Sequence, residues 1–288
     1  MYVSLCSRTM QTTEIKAGLI GHGIGLSRTP RMHMEEGKAH DLIYDYETID
    51  TTHTNLSLHA LLKRCETEGF AGVNITHPFK QLVLNEVDDV SYSVQKVGAS
   101  NTVVFRDGKR FAHNTDYWGF ATAFRQHYKH APKRNVLLLG GGGAGSAIVH
   151  ALLECGVGKV SILDASQDTA CKLAERVDLS FAAERTSVSE IPIASVEKFD
   201  GIVNATPVGM DTHPGTPIPI EIVQADQWVA DIIYFPIETQ LLAQAKAKGC
   251  LTMNGSGMAI YQAARAFELF TGRKADVERM RSTFASFG

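Results

Sequence analysis

Asn135-Val-Leu-Leu-Leu-Gly-Gly-Gly-Gly-Ala-Gly-Ser-Ala-Ile-Val149 is the stretch on which the reading of this chain turns. Val136 to Leu139 form an unbroken apolar run, as a parallel strand covered on both faces requires. Gly140, Gly142 and Gly145 then fill a G-x-G-x-x-G pattern, with Gly141, Gly143 and Ala144 between them. Ser146 to Glu154 continues as a helix of small and apolar residues. The glycines have separate tasks: a tight turn, close backbone approach to a pyrophosphate, and close helix–sheet packing. The helix start adds free N–H groups and a positive dipole end suited to an anion. Alone the pattern is weak, because four glycines in a row also describe a linker. Its surroundings decide for dinucleotide binding. A second apolar strand, Lys159 to Leu163, ends in Asp164, close to the roughly 20-residue spacing at which an acidic residue meets the ribose hydroxyls.

With 288 residues, 44% hydrophobic and 20% charged, the chain reads as two ordinary globular domains. A net charge of −3 gives no reason to expect nucleic acid or an acidic membrane surface. The five cysteines, Cys6, Cys65, Cys155, Cys171 and Cys250, are odd in number, widely spaced and without C-x-x-C. That fits reduced thiols in a cytoplasm better than disulfides or a metal site. The first ten residues lack the apolar run of a signal peptide, and no stretch approaches the ~20 apolar residues of a membrane span. Residues 1–14 are expected to be a disordered extension, with Met1 or Met10 as the start.

Outside the glycine loop, strands and helices alternate, which implies parallel sheets with right-handed crossovers. Lys16 to Gly21, Asp45 to Ile49 and Gly72 to Thr76 read as strands, and Leu56 to Glu68 as a helix. Ser27-Arg-Thr-Pro30 precedes another helix, with Thr29 suited to the cap and Pro30 to the first helical position. Ser27 and Thr29 are also two hydroxyls fit to hold a polyol or carboxylate. Gln81 to Tyr92 is expected to be helical, and Asp107-Gly108 to turn a hairpin. Tyr117 to Phe124 leads as a helix into the dinucleotide unit. Phe199 to Asn204 and Trp228 to Tyr234 read as further strands, with the loop Ala205 to Met210 between them. Leu241 to Lys248, Gly257 to Phe270 and Asp276 to Ala285 read as helices.

Taken in order, these segments resemble the shikimate/quinate dehydrogenase family over nearly the whole chain, from Gly18 to Phe284. The motifs that carry the resemblance are Leu26-Ser-Arg-Thr-Pro30, Asn74-Ile-Thr-His-Pro-Phe-Lys80, Gly98-Ala-Ser-Asn-Thr102 and Asn114-Thr-Asp-Tyr-Trp-Gly119. Further on come Gly140 to Gly145, Asn204-Ala-Thr-Pro-Val-Gly-Met210, Asp231-Ile-Ile-Tyr234 and Gly255-Ser-Gly-Met-Ala-Ile-Tyr-Gln262. Each is modest alone; together and in order they are specific, and the match is closest to the NAD-preferring quinate/shikimate branch.

The resemblance implies an α/β chain of two three-layer domains around a deep cleft. Residues 15–120 with 258–288 would form a substrate domain on a mostly parallel sheet, and residues 121–257 a Rossmann NAD-binding domain. It implies reversible oxidation of the C3 hydroxyl of shikimate and quinate, with Lys80 and Asp116 as the catalytic pair. A lysine serves as acid or base only if its pKa approaches the working pH. Two roles are therefore open for Lys80: the base itself, or a group that orients the hydroxyl beside Asp116. Ser27, Thr29, Thr76, Asn101, Asp116 and Gln262 would grip the ring hydroxyls and carboxylate, with Tyr234 at the carboxylate end. Gly140 to Gly145 with Asp164, Asn204, Thr206, Pro207, Met210, Ile232, Gly255 and Met258 would hold the cofactor, and no metal is implied.

NADP-using members follow the second dinucleotide strand with Asn-Arg-Thr, whose arginine clamps the 2′-phosphate; here the run is Asp164-Ala-Ser-Gln-Asp-Thr169. A carboxylate there accepts from both ribose hydroxyls and repels a phosphate, so NAD is expected. NAD-preferring relatives often have arginine where Thr169 stands, a departure that bears on ribose affinity. The threonine in Ser27-Arg-Thr29, where shikimate-specific members carry serine, accompanies quinate acceptance. The competing readings are an NADP-linked biosynthetic shikimate dehydrogenase and a non-catalytic homologue that only binds ligand and cofactor. Partners are expected to be the two small acids, without nucleic acid or membrane, in a monomer or homodimer.

Overall fold

Two sets of apolar strands, each unable to bury both faces alone, form two six-stranded sheets that helices cover. This computed structural model describes residues 13–190 and 199–287. Most of the expected N-terminal extension, with both candidate start methionines, lies outside the described residues, whereas Glu14 already belongs to the first strand.

The first sheet takes β1 (Glu14–Gly21), β2 (Ile43–Asp50), β3 (Gly72–Ile75), β4 (Asp89–Val90), β5 (Thr102–Arg106) and β6 (Lys109–His113). The second takes β7 (Asn135–Leu139), β8 (Lys159–Leu163), β9 (Thr186–Val188), β10 (Gly201–Asn204), β11 (Trp228–Asp231) and β12 (Leu251–Met253). The helices are α1 (Thr29–Ala39), α2 (Leu58–Thr67), α3 (Tyr92–Val97), α4 (Thr115–His127), α5 (Gly143–Glu154), α6 (Gln167–Phe181), α7 (Gln240–Ala247), α8 (Ser256–Thr271) and α9 (Val277–Ala285).

Strand order in the second sheet is β12-β11-β10-β7-β8-β9, parallel throughout. This is the doubly wound Rossmann order, whose direction reverses between β7 and β10 and so opens a crevice beyond their carboxyl ends. The first sheet runs β2-β1-β3-β5-β6-β4 and is mixed. Its antiparallel members are joined by the expected hairpin, in which Asp107 and Gly108 both take positive φ, 52° and 70°. That matches the two-residue turn whose twist suits paired strands. Helices α4 and α8 lie together between the sheets, and Gly119 makes their crossing possible. A Cβ there would stand 2.7 Å from Met258 O and 2.9 Å from Gln262 N. One face of α8 (Ile260, Ala263, Phe267) enters the core of the first sheet, while Met258 and Tyr261 reach the core of the second.

Three local expectations are corrected. Gln81 to Tyr92 is not one helix. A 3-10 turn at Leu82–Glu86 gives way to extended backbone at Val87 and to β4. The edge of β6 wins over local helicity, because Asp88 N donates to Arg110 O at 3.0 Å and Asp88 Oδ2 accepts from Arg110 N at 2.8 Å. Trp228 to Tyr234 is a strand only to Asp231, whose carboxylate turns inward and accepts from Ile233 N at 3.0 Å. Thr29 is the first helical residue rather than the cap; the cap position is Arg28, with no side-chain capping bond. Ser27 Oγ accepts from Thr29 N at 3.3 Å instead, which leaves the Thr29 hydroxyl to face the cleft.

Candidate active site

Strand ends set the site. Beyond β1 the chain turns through Gly21 to Ile24, and Asp50 at the end of β2 holds that turn. Its carboxylate accepts from Gly23 N and Ile24 N, both at 3.1 Å, from Thr52 N at 2.9 Å and from Thr52 Oγ1 at 2.6 Å. These bonds, the Thr52 hydroxyl first, pull the Asp50 carboxyl down to about 2. A carboxyl depressed in the folded state stabilises it above the unfolded value, near 4, and loses that contribution as pH falls through about 2. Asp50→Ala is therefore expected to flatten the fall in stability between about pH 4 and pH 2, read by urea unfolding at stepped pH. An unchanged pH slope would mean that Asp50 does not hold this turn.

Beyond β3, Thr76 leads into Lys80, whose backbone carbonyl accepts from Ser100 N at 2.7 Å. Lys80 Nζ donates to Asp116 Oδ2 at 2.7 Å, with the two side chains 22% and 11% exposed. Asp116 sits in the first turn of α4. Asn114 fixes that turn by accepting from Tyr117 N at 2.9 Å and donating to Ala99 O at 2.8 Å. The same α4 start carries Thr115, which Asn101 grips from both ends of its amide: Asn101 Nδ2 donates to Thr115 Oγ1 at 2.9 Å, and Asn101 Oδ1 accepts from Thr115 N at 2.7 Å and from Thr115 Oγ1 at 3.2 Å. Thr115 Oγ1 reaches Gln262 Oε1 of α8 at 3.4 Å. Lysine, carboxylate, carboxamides and hydroxyls thus converge from the end of β3, the turn before β5, the start of α4 and α8.

All eight expected substrate residues, Ser27, Thr29, Thr76, Lys80, Asn101, Asp116, Tyr234 and Gln262, line one cavity of about 580 Å³. Burial, with the Asp116 charge second, raises the Tyr234 hydroxyl above its usual range, so it stays a protonated donor. From the cofactor set, Ala144, Thr206, Pro207, Met210, Ile232, Gly255 and Met258 line the same cavity. Gly140 to Gly143, Gly145, Asp164 and Asn204 do not. Asn204 lies beneath the loop: its Oδ1 accepts from Thr206 N at 3.0 Å and Thr206 Oγ1 at 2.7 Å, and its Nδ2 donates to Val208 O at 3.0 Å. It also donates to Asp231, which anchors Thr239 at 2.8 Å. Cavity residues that sequence reasoning passed over include His22, Asn74, Asp211 and Thr212. Asn74 carried a signal, since it stands two residues before Thr76 and so shares its face of the strand. Tyr46 OH donates to Asn74 Oδ1 at 2.7 Å.

The glycine loop fits a dinucleotide. A Cβ on Gly142 would meet nothing within 4 Å, and one on Gly143 would meet only Lys80 Cβ, at 4.0 Å. The loop's upper surface is thus open towards the Lys80 side of the cleft. The N-cap of α5 has no side-chain bond, which leaves the first-turn N–H groups to an anion. Asp164 Oδ2 accepts from Gly141 N at 2.7 Å and its Oδ1 from Ser166 N at 2.8 Å. At Gly145 the packing is closest, because a Cβ would fall 2.0 Å from Gly140 O. Gly145→Ala must push the turn open, and a shift of about 1 Å at such a site costs about 10²-fold in turnover. Dinucleotide titration by calorimetry should show the matching loss of affinity; wild-type affinity would mean that the loop tolerates the methyl.

Residues 19–103 match the shikimate dehydrogenase substrate binding domain, and residues 255–283 match the shikimate 5′-dehydrogenase C-terminal domain. A shikimate dehydrogenase (NADP(+)) of Streptomyces avermitilis is 43% identical over 93% of this chain and 94% of its own. A quinate/shikimate dehydrogenase (NAD(+)) of Corynebacterium efficiens is 44% identical over 96% of this chain and its whole length (100%). Among solved structures, quinate dehydrogenase from Corynebacterium glutamicum in complex with NAD superposes with a TM-score of 0.91. It is 42% identical, over 96% of this chain and 100% of that one. Fold and site thus define an oxidoreductase that uses a nicotinamide dinucleotide. Within that class, the chain belongs to the shikimate/quinate dehydrogenase family.

Proposed function

We propose that this enzyme oxidises the C3 hydroxyl of quinate and of shikimate with NAD, and that Lys80 and Asp116 handle the proton. The observation that carries the reading is the Lys80–Asp116 contact of 2.7 Å on the wall of a cavity shared by the expected substrate and cofactor residues. A nicotinamide ring, when bound, supplies the hydride acceptor. The hydroxyl proton passes to the Lys80/Asp116 pair as the C3 carbon gives up its hydride, and reduction returns both. Proton transfer needs a group within hydrogen-bond reach of the reacting oxygen. In oxidation the accepting group is the lone pair of a neutral Lys80 amine, and the ammonium so formed, held by Asp116, donates the proton back in reduction. Ser27, Thr29, Thr76, Asn101 and Gln262 hold the remaining polar groups, and a ligand that leaves them unpaired is strongly rejected.

NAD is favoured by Asp164, whose charge opposes a 2′-phosphate. Its nearest downstream lysine, Lys172, is committed to Asp168 at 2.6 Å. The NADP-linked reading keeps one point in its favour: relatives named for NADP are as similar to this chain as those named for NAD. In this reading residues 15–120 and 258–288 form the substrate unit and 121–257 the dinucleotide unit. The protein works in the cytoplasm as a monomer or homodimer. Steady-state kinetics with each acid and each cofactor test it. Turnover of both acids with NAD is expected. A clear NADP preference overturns the cofactor assignment, and no oxidation of quinate overturns the role of Thr29.

A further inference from the structure

Arg28 carries a charge that nothing among the described residues neutralises. It stands between Ser27 and Thr29, which wall the cavity, yet is itself only 3% exposed and does not line that wall. Its Nη1 donates to Phe284 O at 3.0 Å. The guanidinium carbon lies 4.6 Å from the ring centre of Phe284, 5.0 Å from that of Phe235 and 5.3 Å from that of Phe287. Its Nε is buried without an acceptor, and no carboxylate among the described residues forms an ion pair with it. A desolvated, unpaired guanidinium is costly, and arginine has no neutral form to escape into. Ring faces return part of that cost; an anion would return more.

Two neighbours show where the anion belongs. Tyr234, on the cavity wall, packs edge-on against Phe284 at 5.7 Å. The eleven-residue helix α1 starts beside Ser27, and its cap residue Arg28 makes no side-chain capping bond, so its positive end adds to the same potential. We propose that Arg28 is a specificity-determining residue, whose buried charge selects an anionic polyol over a neutral one without touching it. The Phe284 carbonyl and the three rings hold that charge beside the Ser27/Thr29 wall. This rests on the reading of quinate and shikimate as substrates, with their carboxylate at that end.

The test compares the two acids with their methyl esters, which keep the ring hydroxyls and lose the charge. Arg28→Gln keeps an N–H donor for Phe284 and removes the charge. It should lower kcat/KM for the acids roughly tenfold and leave the esters at the wild-type value. Arg28→Lys should restore most of the acid activity. Equal losses for acid and ester, or a lysine variant no better than glutamine, would show a structural role and overturn the inference. A measurement on the wild type guards against a variant that does not fold. Buried charges are screened little by salt, so the acid-to-ester ratio should hold as NaCl rises from about 0.05 to about 0.5 M. Its collapse would assign selection to exposed cations instead. Wild-type enzyme that oxidises neither acid would fail the substrate reading itself, a result separate from any of these ratios.

Discussion

Lys80→Ala is expected to lower kcat for quinate and shikimate by about 10²- to 10⁴-fold, the usual worth of one positioned acid/base group. Dinucleotide affinity should stay at the wild-type value, because even a Cβ added at Gly143 would come no nearer than 4.0 Å to the Lys80 side chain. Asp116→Asn should cost a similar factor by a different route. It keeps the shape of the side chain and the α4 first turn held by Asn114, but removes the charge that fixes the ammonium at 2.7 Å. Groups acting as one unit are not additive, so the double variant should be little slower than the slower single variant. Rapid-quench or stopped-flow measurement of the first turnover separates chemistry from product release. If Lys80→Ala and the wild type reduce NAD equally slowly, the protein is a binder and the catalytic reading falls. If losses multiply across the double variant, Lys80 and Asp116 act on different steps.

What the sequence made legible here was whatever depends on short-range geometry. The glycine loop, its flanking strands and the Asp107-Gly108 turn require particular residues at particular φ values, and those residues were visible as letters. Lys80 and Asp116, far apart in the chain, were brought together only by the resemblance, since no local periodicity links the end of β3 to the start of α4. The failures share one cause, long-range contacts overriding local preference. Asp89 and Val90 became strand because Arg110 offered an edge to Asp88, and Asp231 ended its strand by accepting from Ile233, Asn204 and Thr239. Thr29 resembled a cap, but the structure frees its hydroxyl for the cavity. Arg28 was passed over for a similar reason. As a letter it is a surface charge, and only Phe235 and the C-terminal Phe284 and Phe287, brought from the far end of the chain, make it buried.

Asp164→Ser is expected to collapse the preference for NAD over NADP by about 10²-fold, the scale of one unscreened charge contact in a partly buried site. The carboxylate accepts N–H from Gly141 and Ser166, and with about four lone-pair positions it retains acceptors for two ribose hydroxyls. A 2′-phosphate would bring a second anion against it, and Lys172, the nearest downstream lysine, is already paired with Asp168. Serine can accept only one of the two backbone N–H bonds, so the loop will loosen and both cofactors will lose affinity. That common loss cancels in the ratio of their kcat/KM values, which reports the charge alone. Asparagine is the poorer probe, since its amide would turn an N–H group towards one of those donors. Adding Thr169→Arg should then raise NADP turnover further, because a Cβ on Gly141 would stand 3.4 Å from the Thr169 side chain, next to the Asp164 carboxylate. If Asp164→Ser slows both cofactors equally and the ratio stays at the wild-type value, Asp164 braces the loop and cofactor choice is made elsewhere.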